Sequence, residues 1–319
     1  MSVSRLRAAR AFAPGHVTGI FRPDTAHRDP RARGSVGAGV ILELGAWAEA
    51  RFLPGPRSHV RVVGNGGGPW PISLDVARRL APPTPGTLTV NVTHELPVGQ
   101  GFGMSAAGAL ATGLAVGALS GRPRARSISV AHLADFFGGG GLGGVPAILG
   151  GGLEIRLRPG IPPFGEVLHR AFSRDLLIGV VGPPIPSPSV LGDRTSLERI
   201  TVASQGWETL GRSPSVERFF RLSERFTDRA GLASPAVERA VTELRRRGAW
   251  ASQAMFGESF FALPRSSQAR SDCLEWLERR EIRAVEVRAS PRGARRVPRT
   301  WSSNSAVGRA GHPRVPKSF

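Results

Sequence analysis

Residues 87 to 95, TLTVNVTHE, alternate apolar and polar positions, the period of a half-buried strand. From residue 105 to 119 the pattern changes to Ala, Gly and Leu with almost no polar position, which predicts a helix packed closely on all sides. Upstream, residues 11 to 21, AFAPGHVTGIF, read as a strand entering a turn at Pro14-Gly15. Residues 22 to 39 are polar and end in a glycine-rich turn. Residues 39 to 53 and 59 to 63 predict paired strands, and residues 72 to 80 a short helix with Ser73 as its cap. Downstream, after a break at residues 121 to 126, Val130 to Phe137 predict a helix.

A buried strand begins near Leu176, in DLLIGVVGPP, and is followed by a proline-rich break at Pro183 to Pro188. Residues 194 to 202, 214 to 230 and 235 to 247 predict helices. The third carries its own stops: Ser234 as cap, Pro235 at the first helical position and Gly248 after the last turn. A strand at 259 to 263, a helix at 266 to 279 and a strand at 284 to 288 continue the alternation. The expected division is residues 1 to 170, residues 171 to 297, and a basic disordered tail at 298 to 319 that has little to bury.

Composition narrows the class. The 319 residues are 40% hydrophobic, enough for a substantial core, and no apolar run approaches the roughly 18 residues of a membrane span. The N-terminal residues carry charge with no long apolar stretch behind them, so no signal peptide is expected and a cytoplasmic protein is the default. Cys273 is the single cysteine, which excludes an internal disulfide and a cysteine metal cluster. The net charge is +19, and Lys317 is the only lysine among 43 basic residues. Much of the excess lies at the two ends. Such ends attract nucleic acid non-specifically. A specific nucleic-acid partner is not expected, because no aromatics interleave the arginine runs.

The candidate chemistry sits where the strand 87–95 meets the helix 105–119. The linking segment, LPVGQGFGMS, places Gly99, Gly101 and Gly103 at alternate positions. Glycines accept positive φ and close approach to a ligand. A helix opening just after them turns its free N–H groups and positive dipole end toward the loop, which makes an anion site. Ser105 is positioned either to cap the helix or to meet a phosphate-bound Mg²⁺. No Lys-Ser or Lys-Thr pair follows, so this is not a Walker loop, and the third glycine comes too soon for a dinucleotide fingerprint. The bland alternative is a tight turn whose glycines relieve sterics.

Pro97-x-Gly99-x-Gly101-x-Gly103-x-Ser105-Ala106-Ala107 resembles the phosphate loop of the GHMP kinases, the superfamily of galactokinase, homoserine kinase and mevalonate kinase. Gly101-Phe102-Gly103-Met104-Ser105, followed by Ala107-Gly108-Ala109-Leu110, is similar to the archaeal pantoate kinases in particular. Three further stretches resemble that family: Ala13-Pro14-Gly15-His16-Val17-Thr18-Gly19, Gly34-Ser35-Val36-Gly37-Ala38-Gly39, and Ala251-Ser252-Gln253-Ala254-Met255 with Gly257. Ala131-His132-Leu133-Ala134-Asp135 is similar to a family segment that carries a magnesium-binding Glu. The likeness runs over about residues 11 to 297.

The resemblance implies a two-domain α+β GHMP kinase fold with the ATP site at the domain junction. It implies ATP phosphates on Pro97, Gly99, Gly101, Gly103, Met104, Ser105 and Ala106, and Mg²⁺ on Ser105 and Asp135. It implies an acceptor pocket with His16, Thr18, Arg33, Ser35, Ser252 and Gly257. The implied reaction is ATP-dependent phosphorylation of pantoate to 4-phosphopantoate in archaeal coenzyme A biosynthesis. A homodimer is left open. One stretch departs from the family. Where it reads Gly-Thr-Gly-Leu-Gly-Asp-Val, this chain has Gly139-Gly140-Gly141-Leu142-Gly143-Gly144-Val145. Gly144 replaces the expected catalytic carboxylate, so no catalytic residue is assigned, with Glu154 and Asp24 as the other candidate carboxylates. A kinase of another small alcohol and a catalytically weakened nucleotide-binding relative are the alternatives.

Overall fold

The computed structural model describes residues 6–65, 70–185 and 190–298. The expected tail from 299 onward, and residues 186–189 of the proline-rich break, lie outside them. The architecture is mixed α+β, built on two sheets.

The first sheet contains seven strands: β1 (Arg7–Asp24), β2 (Gly34–Pro54), β3 (His59–Gly64), β4 (Gly86–His94), β5 (Leu153–Arg158), β6 (Glu166–Arg170) and the last, β11 (Arg295–Val297). β2 runs for 21 residues and serves two neighbours on one edge. Its first part pairs with β5 over Gly37–Val40 and its last part with β4 over Ala46–Pro54. Between the two partners the sheet forks. On the other edge β1 stays paired with β2 past the fork, and His16 and Thr18 lie opposite Ile41 and Gly39. Register shifts fall between Pro14 and His16 and between Thr18 and Ile20. Bulges of this kind bend a strand and re-aim its side chains.

The second sheet is antiparallel, in the order β10-β7-β9-β8, from β7 (Asp175–Val180), β8 (Ala249–Gln253), β9 (Ser259–Pro264) and β10 (Arg283–Arg288). It opens with β7 at Asp175, while the last strand, β11, returns to the first sheet and pairs with β1.

The helices are α1 (Pro71–Leu80), α2 (Met104–Leu119), α3 (Arg124–Phe137), α4 (Gly144–Ala147), α5 (Arg194–Ala203), α6 (Glu208–Arg212), α7 (Val216–Ala230), α8 (Pro235–Arg246) and α9 (Ser267–Arg279). A 3-10 turn spans Pro30–Ala32. α2 is buried over nearly its whole length, as its composition requires. It lies with Ala11, Ala13, Ala46, Ala48 and Ala50 of β1 and β2 in one core, where small residues permit close helix-to-sheet approach. α7 joins that core through Phe219, Phe220 and Phe226, together with Phe261 of β9. α8 and α9 cover the second sheet through Val237, Val241, Leu244, Cys273 and Leu277. α8 keeps the caps read from sequence: the Ser234 side chain accepts from Val237 N–H, Pro235 opens the helix, and Gly248 follows with φ 85°.

Several local expectations are corrected. Pro14 and Gly15 do not turn but continue β1, because β2 pairs along both sides of them. The stretch Gly34–Gly39 is strand, held between β1 and β5. β2 and β3 do not pair with each other: both pair with β4, and β3 runs parallel to it. Ser73 is buried inside α1, whose first flanking residue is Trp70. α3 begins at Arg124, six residues before the expected start. Residues 249–253, for which no element was expected, form β8 against β9.

Candidate active site

A cavity of about 450 Å³ opens at the fork of the first sheet and reaches the loop that follows β4. Its lining includes His16 and Thr18 of β1, Ser35 and Arg156 from β2 and β5, the loop residues Gly99, Gly101 and Gly103, and Met104, Ser105 and Ala106 of α2. Asp135 of α3, the glycine run 138–141 and 143–144, and Met255 and Phe256 complete much of the wall. Chain segments far apart in sequence therefore converge on one space.

The anion loop has the geometry its glycines predict. Gly99, Gly101 and Gly103 have φ of 79°, 73° and 69°, the left-handed region that other residues enter at a cost. Gly103 is the N-cap of α2 and offers no side chain to it. The first-turn amides of α2 are thus left to a ligand. The second sheet's connections brace the loop from behind. Ser259 Oγ donates to Gln100 O at 2.6 Å, Gln100 Nε2 donates to Gly182 O at 2.9 Å, and Ile185 N–H donates to Gly99 O at 3.1 Å. A Cβ on Gly101 would lie 2.4 Å from Ala254 O, so the loop and the 254–257 segment fit only as backbone against backbone.

Ser105 does not cap α2. Its Oγ donates to Asp135 Oδ1 at 2.5 Å. Asp135 is 2% exposed, and burial pushes its carboxyl up to about 7, with the Ser105 hydrogen bond opposing. A buried carboxylate whose partner is a hydroxyl, with no cation beside it, is a donor set for a hard divalent ion. Among the described residues no cluster of three or more His, Cys, Asp or Glu side chains holds a metal. Two protein oxygens fit Mg²⁺, which fills its remaining positions with water and substrate phosphates. Gly140 keeps this corner open: a Cβ there would sit 1.9 Å from Asp135 Oδ1 and 2.1 Å from Ser105 Oγ.

Across the cavity a second carboxylate is held in the opposite state. Glu154 is fully buried, accepts from Arg156 Nη1, and lies 2.8 Å from His16 Nε2. Burial alone would raise its carboxyl, but the Arg156 charge and the His16 contact outweigh that and hold it below the usual range. His16 is shifted down, chiefly by burial, so the imidazole is neutral at pH 7. Arg156 is 1% exposed and its Nε finds no partner among the described residues. A Cβ on Gly143 would lie 2.4 Å from Ser35 Oγ and 2.9 Å from Arg156 Nε, so Ser35 and Arg156 border one small space.

Not every expected residue converges. Arg33 is turned away: its Nε donates to His27 O at 2.6 Å and its Nη2 to Arg28 O at 3.3 Å. Its place as a buried guanidinium is taken by Arg156. Pro97 does not line the cavity, whereas Val98 does. Ser252 is buried in β8 and Gly257 packs behind the loop against Gln100 O, so neither is on the wall. Asp24 is at the exposed end of β1. Glu154 reaches the site only through His16 and Arg156. Gly144 opens α4, and a Cβ there would meet Ala106 Cβ at 2.5 Å, so no carboxylate enters at that position without moving α2. Glu154 and Arg156 carried a legible signal. They share one face of β5, opposite Leu153 and Ile155, in a strand buried on both faces.

This combination of a strand–glycine loop–helix anion site with a buried Ser–Asp pair defines a class. Residues 72–152 match the model of the GHMP kinases N terminal domain. The pantoate kinase of Thermococcus kodakarensis is 34% identical over 82% of this chain and 89% of its own length. The pantoate kinase of Methanospirillum hungatei is 30% identical over 82% of this chain and 90% of its own. A solved structure described as a phosphotransferase related to the CoA biosynthesis pathway superposes with a TM-score of 0.83 at 29% identity, over 92% of this chain and 100% of that one. The chain belongs to the pantoate kinase family of the GHMP kinases. It is an enzyme of the ATP-dependent phosphotransferase class.

Proposed function

We propose that this enzyme transfers the γ-phosphoryl group of ATP to the terminal hydroxyl of pantoate, giving 4-phosphopantoate, as an archaeal-type cytoplasmic kinase of coenzyme A synthesis. The single observation that carries the substrate is Arg156. A fully buried guanidinium with an unpartnered Nε, beside the Ser35 hydroxyl on the cavity wall, suits a small carboxylate. Phe21, Met255 and Phe256 give that pocket an apolar side for the two methyl groups of pantoate.

In this reading the ATP phosphates rest on the backbone of Gly99 to Ala106. Phosphoryl transfer has a loose transition state, and catalysis comes mainly from positioning and charge neutralisation. Ser105 and Asp135 are the residues that would hold Mg²⁺, which when bound neutralises charge on the phosphates. The braced loop fixes the donor, and Arg156 with Ser35 fixes the acceptor by its carboxylate end. Phe256, Met255 and Val98 give the space between an apolar lining.

The test is ADP release from ATP and Mg²⁺ with D-pantoate, beside other small hydroxy acids and alcohols. Saturable turnover with pantoate above the panel is expected. ATP binding without pantoate-stimulated release would overturn the acceptor assignment.

A further inference from the structure

The cavity wall carries three titratable side chains among the described residues: His16, Asp135 and Arg156. The Arg156 guanidinium offers only N–H donors and no lone pair to accept a proton. Asp135 is engaged with Ser105 and faces the anion loop. His16 remains, and its surroundings are those of a base. Its Nε2 lies 2.8 Å from Glu154 Oε1, and Glu154 is held by Arg156. A carboxylate accepts, so Nε2 carries the hydrogen and Nδ1 presents a bare lone pair. That lone pair meets Thr18 Oγ1 at 3.4 Å, a long contact that another hydroxyl can displace.

The position also fits. The His16 N–H donates to Phe102 O at 3.0 Å, and a Cβ on Gly103 would lie 3.2 Å from His16 Cβ, so the residue abuts the anion loop. Through Glu154 its ring is tied to Arg156, on the side of Ser35. The two bulges of β1 bracket His16–Thr18 and turn both side chains to the cavity. The imidazole thus stands between the donor loop and the acceptor pocket.

We propose that His16 is the proton acceptor of the phosphoryl transfer, with Glu154 as the positioning residue that fixes its tautomer; the inference rests on the kinase reading above. The acceptor's O–H bond breaks and its oxygen bonds the γ-phosphorus. The bond from that phosphorus to the β–γ bridging oxygen breaks and ADP leaves. The proton goes to His16 Nδ1, and the resulting imidazolium, paired with Glu154, returns it to solvent after product release. The charged and titratable groups that act on His16 are Glu154 and Arg156 of β5 and His169 of β6. Glu154 favours the imidazolium, while Arg156 and His169 disfavour it. General-base help of this kind is worth roughly 10²–10⁴-fold.

Two measurements on the full-length protein test this. The first is ¹⁵N-histidine NMR of the wild type at neutral pH, assigned with His16→Gln. A protonated Nε2 and a bare Nδ1 are expected, and the reverse tautomer would overturn the proposal. The second is kinetics with pantoate. His16→Gln is expected to lower kcat by about 10²-fold or more at unchanged KM for ATP. At saturating Mg²⁺, which keeps Asp135 ionised, it should also remove the acidic limb that His16 contributes to the kcat–pH profile. In His16→Gly, added imidazoles should restore turnover with rates that rise with their basicity, which a merely structural histidine would not give. Glu154→Gln should move the acidic limb downward. Turnover by His16→Gln within about threefold of the wild type would overturn the base while leaving the kinase reading intact. Failure of the wild type itself to use pantoate would overturn both.

Discussion

Two carboxylates flank the same cavity, both essentially out of contact with water, and they are held in opposite states. Asp135 is pushed up to about 7 by burial, with one hydroxyl as its hydrogen-bond partner. Glu154, more deeply buried, is held below the usual range because Arg156 and His16 meet it. Burial is near complete on both walls, so the partner decides the charge. The wall beside the glycine loop keeps a carboxylate short of a cation, in keeping with the Mg²⁺ role proposed for it. The acceptor wall has its cation built in, and so its charge is permanent and structural.

Removing each side of this contrast should give opposite signatures. The largest effect is expected from Asp135→Asn. Loss of a metal-held charge is worth several kcal/mol in the transition state, so kcat/KM should fall by about 10³-fold. The same change should leave the melting temperature unchanged or raised, since it removes an unpaired buried charge. A clear fall in melting temperature without Mg²⁺ would break the comparison.

Arg156→Leu should do the reverse to stability. It strands Glu154 without its cation, and such a loss costs about 3–5 kcal/mol. Thermal or urea unfolding measures it, and a variant as stable as the wild type would show that Glu154 is not held as an ion. The pH dependence sharpens the point. The Asp135 carboxyl has a higher affinity for its proton in the folded state. Stability is therefore lost as pH rises from the ordinary 3.8 through about 7. The contribution of Glu154 is present above its ordinary 4.5 and is lost as pH falls below that. Asp135→Asn should therefore flatten the stability curve between about 4 and 7, while the loss at lower pH persists.

Gly101→Ala tests the anion wall without touching a charge. It forces a side chain to φ 73° and to within 2.4 Å of Ala254 O, so roughly 1–3 kcal/mol of destabilisation and weakened ATP binding are expected. Arg33→Ala is the smallest. Its guanidinium bonds backbone carbonyls outside the cavity, and KM for the acceptor should stay within about twofold, with stability within about 0.5 kcal/mol. A tenfold rise in that KM would return Arg33 to the pocket and weaken the case for Arg156.

The two walls also differ in how far they can be read from the chain. The anion wall is local. Its alternate glycines, the strand before and the helix after lie within residues 86–119, and backbone sterics with helix geometry are enough to specify it. Asp135 was legible as a candidate through its motif, but its burial was not. A lone acid on a helix face is ordinarily solvated, and only the packing of α3 against α2 closes it in. The caps of α8, the buried α2 and the mixed α+β pattern were likewise written in local propensity and period.

The acceptor wall is made at a distance. His16 and Glu154 touch across 138 positions of sequence, through strands that are neighbours only because β2 is long enough to carry β1 on one side and both β4 and β5 on the other. The alternation in β5 puts Glu154 and Arg156 on one face but does not say what that face meets. Arg33 was the arginine expected in the acceptor pocket and stands near Ser35 in the chain, whereas Arg156 stands beside Ser35 in space. The sequence by itself determined the elements and the loop, since these follow from the conformational preferences of neighbouring residues. The tertiary structure alone decided which charges are buried together. Desolvation and Coulomb interaction depend on distance through the fold and not on separation along the chain.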